Sequence, residues 1–301
     1  MIFKKINRIK SNYKLFIYLL FIFTITTQLS YSYNSLNIEA SFNKNNLKNL
    51  DYNEQTVINY SNGSLYYFEI NSDQYILGIE FYKNTGIYLY DNGKIHKCVL
   101  SKPTDIFGVS CEYEIEFYAN GNIKCLYLAN STTINDIPCS AGKDAKICFY
   151  DNGQIAMCTL SRQMYIEDIL CREGRLEFYD NGKLAKCMLA KRRNIGSILC
   201  KEYISFYKSG APKKLTIAGI TRVQRLFCED TISFYESGQI EECNLAVPMT
   251  VQDIDCDKGY INFYNTGKLR FCVLSKDFII KNKEYKKGTR LYFNEDGNIA
   301  N

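Results

Sequence analysis

The chain has 301 residues, of which 46% are hydrophobic and 14% are aromatic. That is enough to bury a sizeable core, in one long array or in two domains. Lys and Arg number 37 against 32 Asp and Glu, but the first 32 residues contain five of the basic residues and no acidic one. The rest of the chain is neutral overall, so its charge gives no support for binding nucleic acid, which requires a clustered basic surface.

Residues 1–32 are predicted to be a signal peptide. A basic start precedes an apolar run over residues 15–25, which has the length of a signal-peptide hydrophobic region and is short for a membrane span. Ser30 and Ser32 are small residues at the two positions that a signal peptidase reads, so the mature chain is expected to begin near Tyr33. The alternative is an uncleaved membrane anchor. Cleavage predicts a secreted, periplasmic or outer-surface protein without stable membrane insertion.

A regular repeat follows the signal. Residues 33–53 are rich in Asn, Ser and Lys without an apolar period, which indicates a polar lead-in. Residues 54–301 read as an array of about nine β-hairpin repeats of 28–32 residues, because glycines recur at those intervals. The predicted fold is all-β, with tandem antiparallel hairpins in a solenoid or a single meandering sheet. The expected turn glycines are Gly63, Gly93, Gly121, Gly153, Gly182, Gly210, Gly238, Gly267 and Gly297.

Asn-Gly pairs such as Asn181-Gly182 predict two-residue type I′ turns, in which both central residues have positive φ. With such a turn, the residue six before the glycine faces the residue five after it, so Ile232 should lie opposite Cys243. Strand alternation then places Phe234, Cys243 and Leu245 on one face. The same count pairs Tyr235 with Ile240 on the other face.

All 13 cysteines follow the signal, and export favours disulfides. An odd number leaves at least one cysteine unpaired within a chain. Cys228 and Cys272 lack a cysteine partner within their own repeats. The candidates for disulfide bonds are Cys98, Cys111, Cys125, Cys139, Cys148, Cys158, Cys171, Cys187, Cys200, Cys243 and Cys256.

Two patterns of pairing are open. Leu lies seven residues after the glycine and an aliphatic residue sixteen after it, while cysteines lie five and eighteen after it. In an antiparallel hairpin, the positions of directly opposed residues add up to the same number. Seven plus sixteen equals five plus eighteen, so Leu189 should face Ile198 and Cys187 should face Cys200. Pairing between neighbouring repeats, such as Cys171 with Cys187, fits the spacing almost as well.

The Gly121 repeat is irregular, because Cys125 follows its glycine by four residues rather than five. Cys148, five residues before Gly153, should point to the same, opposite face. A bond between Cys125 and Cys148 is therefore an alternative to one between Cys125 and Cys139.

The segment FYDNGKL from Phe178, repeated as FYDNGQI from Phe149 and LYDNGKI from Leu89, resembles β-hairpin repeats related to MORN repeats. It is most similar to the FYxNG-type repeats of secreted bacterial proteins, including cysteine-bearing arrays of spirochaetes. The resemblance covers roughly residues 57–299 and implies a β-repeat fold and export, without a known chemistry. MORN units are shorter and have a second glycine-rich turn, so a lipid-binding role does not transfer.

No catalytic, cofactor or metal site is predicted. His96 precedes Cys98 by two residues on what should be one strand face, which suggests a Cys–His nucleophile, yet Cys98 already has Cys111 as a partner for a disulfide. The chain has no CxxC, which argues against zinc and thiol–disulfide exchange.

Tyrosines recur three residues before the glycines. They form either a packing ladder or an aromatic platform for a ligand. The tyrosines are Tyr60, Tyr90, Tyr118, Tyr150, Tyr179, Tyr207, Tyr235 and Tyr264.

The predicted function is a non-catalytic secreted scaffold that binds an unknown protein, peptide or glycan, or has a structural role. The alternative is a secreted thiol-dependent enzyme or redox protein.

Overall fold

The computed structural model describes Phe42, residues 46–280 and residues 283–300. The predicted signal peptide and cleavage site lie outside these residues. Regular structure in the described part of the chain is β-strand, apart from one short 3-10 helix at Asn46–Asn49, so the all-β prediction is confirmed. The chain divides into two compact units, Met1–Ala156 and Met157–Asn301.

In the first unit, antiparallel pairing runs from β1 to β2, β5, β6, β8, β9 and β12. This order is a meander, because successive long strands are neighbours. The strands are β1 (Tyr52–Asn59), β2 (Leu65–Ile70), β3 (Gln74–Ile76), β4 (Ile79–Phe81), β5 (Gly86–Leu89), β6 (Ile95–Val99), β7 (Thr104–Ile106), β8 (Val109–Phe117), β9 (Ile123–Leu128), β10 (Thr132–Ile134), β11 (Ile137–Cys139) and β12 (Lys146–Phe149).

The second unit continues the same pattern. Its meander runs from β13 to β16, β17, β19, β20, β22, β23, β26, β27 and β30. The strands are β13 (Ile155–Leu160, which begins at the end of the first unit), β14 (Met164–Ile166), β15 (Ile169–Cys171), β16 (Gly174–Phe178), β17 (Leu184–Met188), β18 (Arg193–Ile195), β19 (Ile198–Phe206), β20 (Pro212–Ile217), β21 (Thr221–Val223), β22 (Leu226–Phe234), β23 (Ile240–Leu245), β24 (Met249–Val251), β25 (Ile254–Cys256), β26 (Gly259–Phe263), β27 (Leu269–Val273), β28 (Phe278–Ile280), β29 (Lys283–Tyr285) and β30 (Arg290–Tyr292).

The first turn of each repeat differs from the predicted type I′ turn. The nine turn glycines have positive φ as expected, but the preceding Asn, Asp, Ser or Thr residues do not. In the Gly238 repeat, the Gly238 amide donates to the Tyr235 carbonyl, and the Tyr235 amide donates to the Gln239 carbonyl. These bonds close a three-residue loop, a type I turn followed by a glycine in the left-handed region. The type I′ assignment is therefore wrong.

A β-bulge then restores the predicted register. Phe234 lies opposite Ile240 and Ser233 lies opposite Glu242, so Glu241 is an extra residue on β23. The loop is one residue longer than predicted, and the bulge compensates for it. Ile232 consequently faces Cys243, as predicted. Ile240 points inward beside Phe234, however, so its predicted pairing with Tyr235 on the other face is wrong.

A second, short hairpin follows in the repeats of Gly63 to Gly267, and in several of them both central residues of its turn have positive φ, as in a type I′ turn. Pairs of residues with positive φ include Gln224 with Arg225 and Gln252 with Asp253. This hairpin changes the predicted pairing, because Ile198 lies opposite Ile195 and Cys200 lies opposite Arg193. Cys187 lies opposite Ile204. The predicted pairs Leu189–Ile198 and Cys187–Cys200 are therefore wrong.

The short hairpin of one repeat is held against the first turn of the next repeat. The Gln224 side-chain amide donates to the Gly238 carbonyl over 2.7 Å, and that of Gln252 donates to the Gly267 carbonyl over 2.8 Å. Inward residues of both hairpins, such as Ile232, Leu245 and Val251, are buried. Each repeat thus completes its core by contact with its neighbour, as in other repeat proteins.

Part of the polar lead-in packs on the first repeats. Phe42 is 8% exposed, its ring lies 6.1 Å from that of Phe68, and its amide donates to the Gly93 carbonyl over 2.7 Å. Leu47, in the short helix, is also buried. These residues cover apolar surface of the first unit before β1 begins at Tyr52.

Candidate functional site

The recurring tyrosines join each repeat to the next. In the first unit, Tyr60 donates to the carbonyl of Leu89, and Tyr90 donates to that of Phe117. In the second unit, Tyr235 donates to the carbonyl of Phe263 over 2.9 Å. Further donors with the same geometry are Tyr118, Tyr179, Tyr207 and Tyr264. The described hydroxyls are used for structure, which favours the packing ladder over a ligand platform for these residues.

Replacing Tyr235 by Phe is expected to destabilise the protein by about 1 kcal/mol, because the Phe263 carbonyl loses its side-chain donor. The matched control is Tyr165→Phe on β14, where the tyrosine is 57% exposed and its hydroxyl loss should be near neutral. Urea unfolding of both variants measures the difference. Equal unfolding free energies would contradict the role of the ladder.

Cys125 and Cys148 lie directly opposite each other in the first unit and are joined by a disulfide. Their Cα atoms are 4.1 Å apart. Both occupy the face opposite to the other cysteines, because Cys125 stands beside the bulge of β9 at a position that is outward in other repeats. This bond links neighbouring repeats.

The cysteines of the second unit are also buried, and they lie on the inner face. Cys171 lies opposite Leu189, and Cys187 is two residues away from Leu189 on the same strand face. The two thiols are neighbours, and a hydrogen bond from Cys187 lowers the pKa of Cys171 while it raises the pKa of Cys187. The thiol pairs Cys228–Cys243 and Cys256–Cys272 make the same contact.

The thiols of Cys98, Cys111 and Cys200 are also buried. Burial raises the pKa of Cys98 and of Cys111 to about 12 each, and that of Cys200 to about 11. A thiolate is the nucleophilic form of cysteine, so these groups are poor nucleophiles at neutral pH.

His96 does not form a pair with Cys98. It is the extra residue of the bulge in β6, so its side chain leaves the inner face and its ring lies 4.5 Å from that of Tyr90. Burial lowers the pKa of His96, Glu116 opposes that change, and Lys124 and Lys97 add to it. The prediction that His96 and Cys98 share one strand face is wrong. Comparable bulge residues, Lys213 and Arg270, also lie over the tyrosine of their own repeat.

The outer face of the first unit carries paired charges. Lys146 contacts Glu116 at 2.6 Å and Glu114 at 3.5 Å, while Lys97 lies 3.8 Å from Glu114. Burial of Glu116 acts to raise its pKa, but the hydrogen bond and charge of Lys146, followed by the charges of Lys124 and His96, hold it below the ordinary value. The carboxylates of this surface are therefore paired with neighbouring lysines.

The outer face of the second unit ends in an aromatic strip, formed by Tyr260, Phe271 and Tyr292. The Tyr260 and Phe271 rings are 5.8 Å apart, and those of Phe271 and Tyr292 are 4.9 Å apart. Tyr260 is 46% exposed and Tyr292 is 54% exposed. The Tyr260 hydroxyl donates to Glu242 over 2.9 Å and accepts from the Asn262 amide over 3.0 Å. The strip therefore combines exposed apolar surface with adjacent hydrogen-bonding groups.

The residues of this strip were not predicted from the sequence. They stand one position away from buried residues on β26, β27 and β30, at sites that carry other residue types in other repeats. The only available signal was the recurrence of large aromatic residues at outward positions of three adjacent strands.

A groove is present on the side of the short hairpins in the second unit. It has a volume of about 360 Å³ and is lined by residues that include Arg225, Gln239, Met249 and Phe263. A similar groove of about 280 Å³ lies two repeats earlier and is lined by residues that include Lys183, Arg193 and Phe206. The grooves follow from the stacking of short hairpins on the first turns.

Among the described residues, no group of three or more His, Cys, Asp or Glu side chains is arranged to hold a metal ion. The described part of the chain also contains no helix that is long and apolar enough to span a membrane.

Comparison with known proteins does not establish a family. No protein-family model matches the chain, and no curated protein matches it. Among solved structures, the chain is similar to part of the crystal structure of TcdB2-TccC3-Cdc42, with 8% identity and a TM-score of 0.15. That match covers 78% of this chain and 14% of the solved chain.

Proposed function

We propose that the chain is a non-catalytic, exported repeat protein that acts as a scaffold at the cell exterior or in the periplasm and binds a glycan through the aromatic strip of its second unit. The observation that carries this proposal is the exposure of Tyr260 and Tyr292 around Phe271. Contiguous exposed apolar surface commonly marks an interaction site. The resemblance to FYxNG-type secreted repeat proteins is consistent with export.

A glycan suits the chemistry of this strip. The flat C–H faces of sugar rings pack against aromatic faces, and sugar hydroxyls both donate and accept hydrogen bonds. Glu242 provides carboxylate oxygens and Asn262 provides an amide beside the Tyr260 ring. A peptide or a protein is the other class of ligand, and the binding test below separates it from a glycan.

The buried thiols support the non-catalytic part of the proposal. A thiol-dependent enzyme or redox protein needs an accessible thiol of low pKa. The Cys98 thiol is buried and its pKa is raised to about 12 by that burial. Because the folded pKa is raised, this burial contributes its full stability below the unfolded pKa, near 9, and loses it as the pH rises toward 12.

Cys98, Cys111 and Cys200 are therefore expected to resist an aromatic disulfide reagent at pH 8 in the native protein and to react at once after urea unfolding. The absorbance of the released thiolate counts the reacted groups, and peptide mapping assigns them. A native cysteine that reacts as fast as free cysteine would favour the enzyme or redox alternative.

Binding is tested by co-sedimentation with insoluble peptidoglycan, chitin and cellulose. The full chain is expected to sediment with at least one of them, and Tyr260→Ala with Tyr292→Ala should weaken that binding at least tenfold, which corresponds to about 1.4 kcal/mol. Tyr165→Ala is the matched control, since Tyr165 is 57% exposed on β14, outside the strip. Binding to none of these glycans, or equal binding by all three proteins, would contradict the proposal and favour a peptide or protein ligand.

A further inference from the structure

The inner cysteines of the second unit follow one rule across repeats. The cysteine eighteen residues after one turn glycine lies opposite the leucine seven residues after the next glycine, as Cys228 lies opposite Leu245 and Cys256 lies opposite Leu274. The position two residues before that leucine points to the same inner face. In an antiparallel pair, such diagonal neighbours are within reach of each other. The rule brings together cysteines of successive repeats, not of one repeat.

The contents of these positions agree with the rule. Three diagonal pairs are Cys–Cys, namely Cys171–Cys187, Cys228–Cys243 and Cys256–Cys272, and in each the neighbouring thiol lowers the pKa of one member and raises that of the other. The fourth diagonal pairs Cys200, opposite Ile217, with Leu215. Cys200 is therefore the cysteine at this position whose diagonal neighbour in the next repeat is not a cysteine. Its thiol donates to the Ile198 carbonyl over 3.4 Å.

We infer that Cys171–Cys187, Cys228–Cys243 and Cys256–Cys272 are sites of cross-repeat disulfide formation, and that Cys200 remains a thiol. In each step a thiolate attacks a sulfur of an external disulfide, such as oxidised glutathione or a protein dithiol oxidase. The thiolate of the second cysteine then attacks the protein sulfur of the resulting mixed disulfide and expels the second external thiolate. Two S–H bonds are lost and one S–S bond forms, while the external disulfide takes up two electrons and two protons and leaves as two thiols.

The burial of these cysteine pairs determines when their disulfides can form. Cys171, Cys228 and Cys256 are fully buried in the folded unit, so an external disulfide reaches them before or during folding. Once formed, each disulfide would join one repeat to the next on the inner face. The Tyr hydroxyls already join neighbouring repeats at the first turns. This inference does not depend on what the outer face binds.

The test counts alkylated thiols by mass spectrometry after refolding with oxidised and reduced glutathione, quenching with acid and denaturing alkylation. Cys187→Ala should carry one alkylated thiol more than the wild type, because Cys171 loses its partner. The matched variant Cys200→Ala should carry one fewer. Within-repeat bonding of Cys187 to Cys200 would instead raise the count by one in both variants, and an absence of disulfides at these positions would lower it by one in both.

Two further variants keep the test decisive if Cys187→Ala fails to fold. The double variant Cys171→Ala with Cys187→Ala should retain the wild-type count, because it removes a whole bond. Cys228→Ala should raise the count by one, because Cys243 becomes free. A lowered count in either protein would overturn the inference.

Discussion

Deleting Asn244 is expected to destabilise the second unit by at least about 4 kcal/mol. Asn244 is a partly exposed residue of β23 between Cys243 and Leu245, which are both buried. Without it, Cys243 and Leu245 are adjacent in the strand, so that one of them leaves the inner face. A shift of one residue moves each side chain of a strand to the other face.

The control for this deletion is Asn244→Ala, which retains the backbone of β23 and removes only a partly exposed side chain. It should change the unfolding free energy by less than about 0.5 kcal/mol. Urea unfolding followed by circular dichroism measures both. If the deletion and the substitution were equally mild, the alternation of β23 would not decide which of its side chains are buried.

Gly93→Ala is expected to cost about 2.5–5 kcal/mol, more than the same change at Gly63 or Gly238. A β-carbon at Gly93 would lie 2.2 Å from the Phe42 carbonyl oxygen, and the glycine has a φ of +81°. The left-handed conformation costs alanine about 1–2 kcal/mol. Displacing Phe42 from its buried site adds about 1.5–3 kcal/mol of lost apolar burial.

Gly63→Ala is the matched control, because Gly63 has a φ of +82° and open space around the added carbon. It should show only the cost of the left-handed conformation. Combining Gly93→Ala with Phe42→Ala should cost less than the sum of the single changes, since Phe42 can be displaced only once. Equal costs at Gly63 and Gly93 would show that Phe42 does not dock on this turn.

The long strands and the turn glycines were predictable because alternation and Asn-Gly pairs are strong local signals. The short hairpins were not, because their turns place residues such as Gln224 and Arg225 at positive φ, where glycine or asparagine is the usual signal. The opposition of Ile232 and Cys243 was predicted correctly from a wrong turn type. A longer loop and a bulge offset each other there, and neither leaves a mark in the hydrophobic pattern.

The cysteine pattern shows a related limit of sequence reasoning. Positional sums pair Cys187 with Cys200 only if one hairpin contains both, whereas β18 intervenes and pairs with the strand of Cys200. The cross-repeat alternative has the same spacing in the sequence. Only the register of β19 against β17 and β20 separates the two patterns. The aromatic strip was missed for a different reason, since its residues lie at outward positions that vary from repeat to repeat.

Recurring residues join each repeat to its neighbour, through the tyrosine hydroxyls and, as inferred above, through the inner cysteines. A tryptic peptide map of the refolded, oxidised protein, run without reduction, tests the cysteine connections, because cleavage after Lys and Arg places Cys171, Cys187 and Cys200 in separate peptides, residues 163–172, 187–191 and 194–201. We expect residues 163–172 to be linked to residues 187–191, and residues 194–201 to be an unlinked thiol peptide. A linked species of residues 187–191 with 194–201 would show instead that the bonds lie within one repeat.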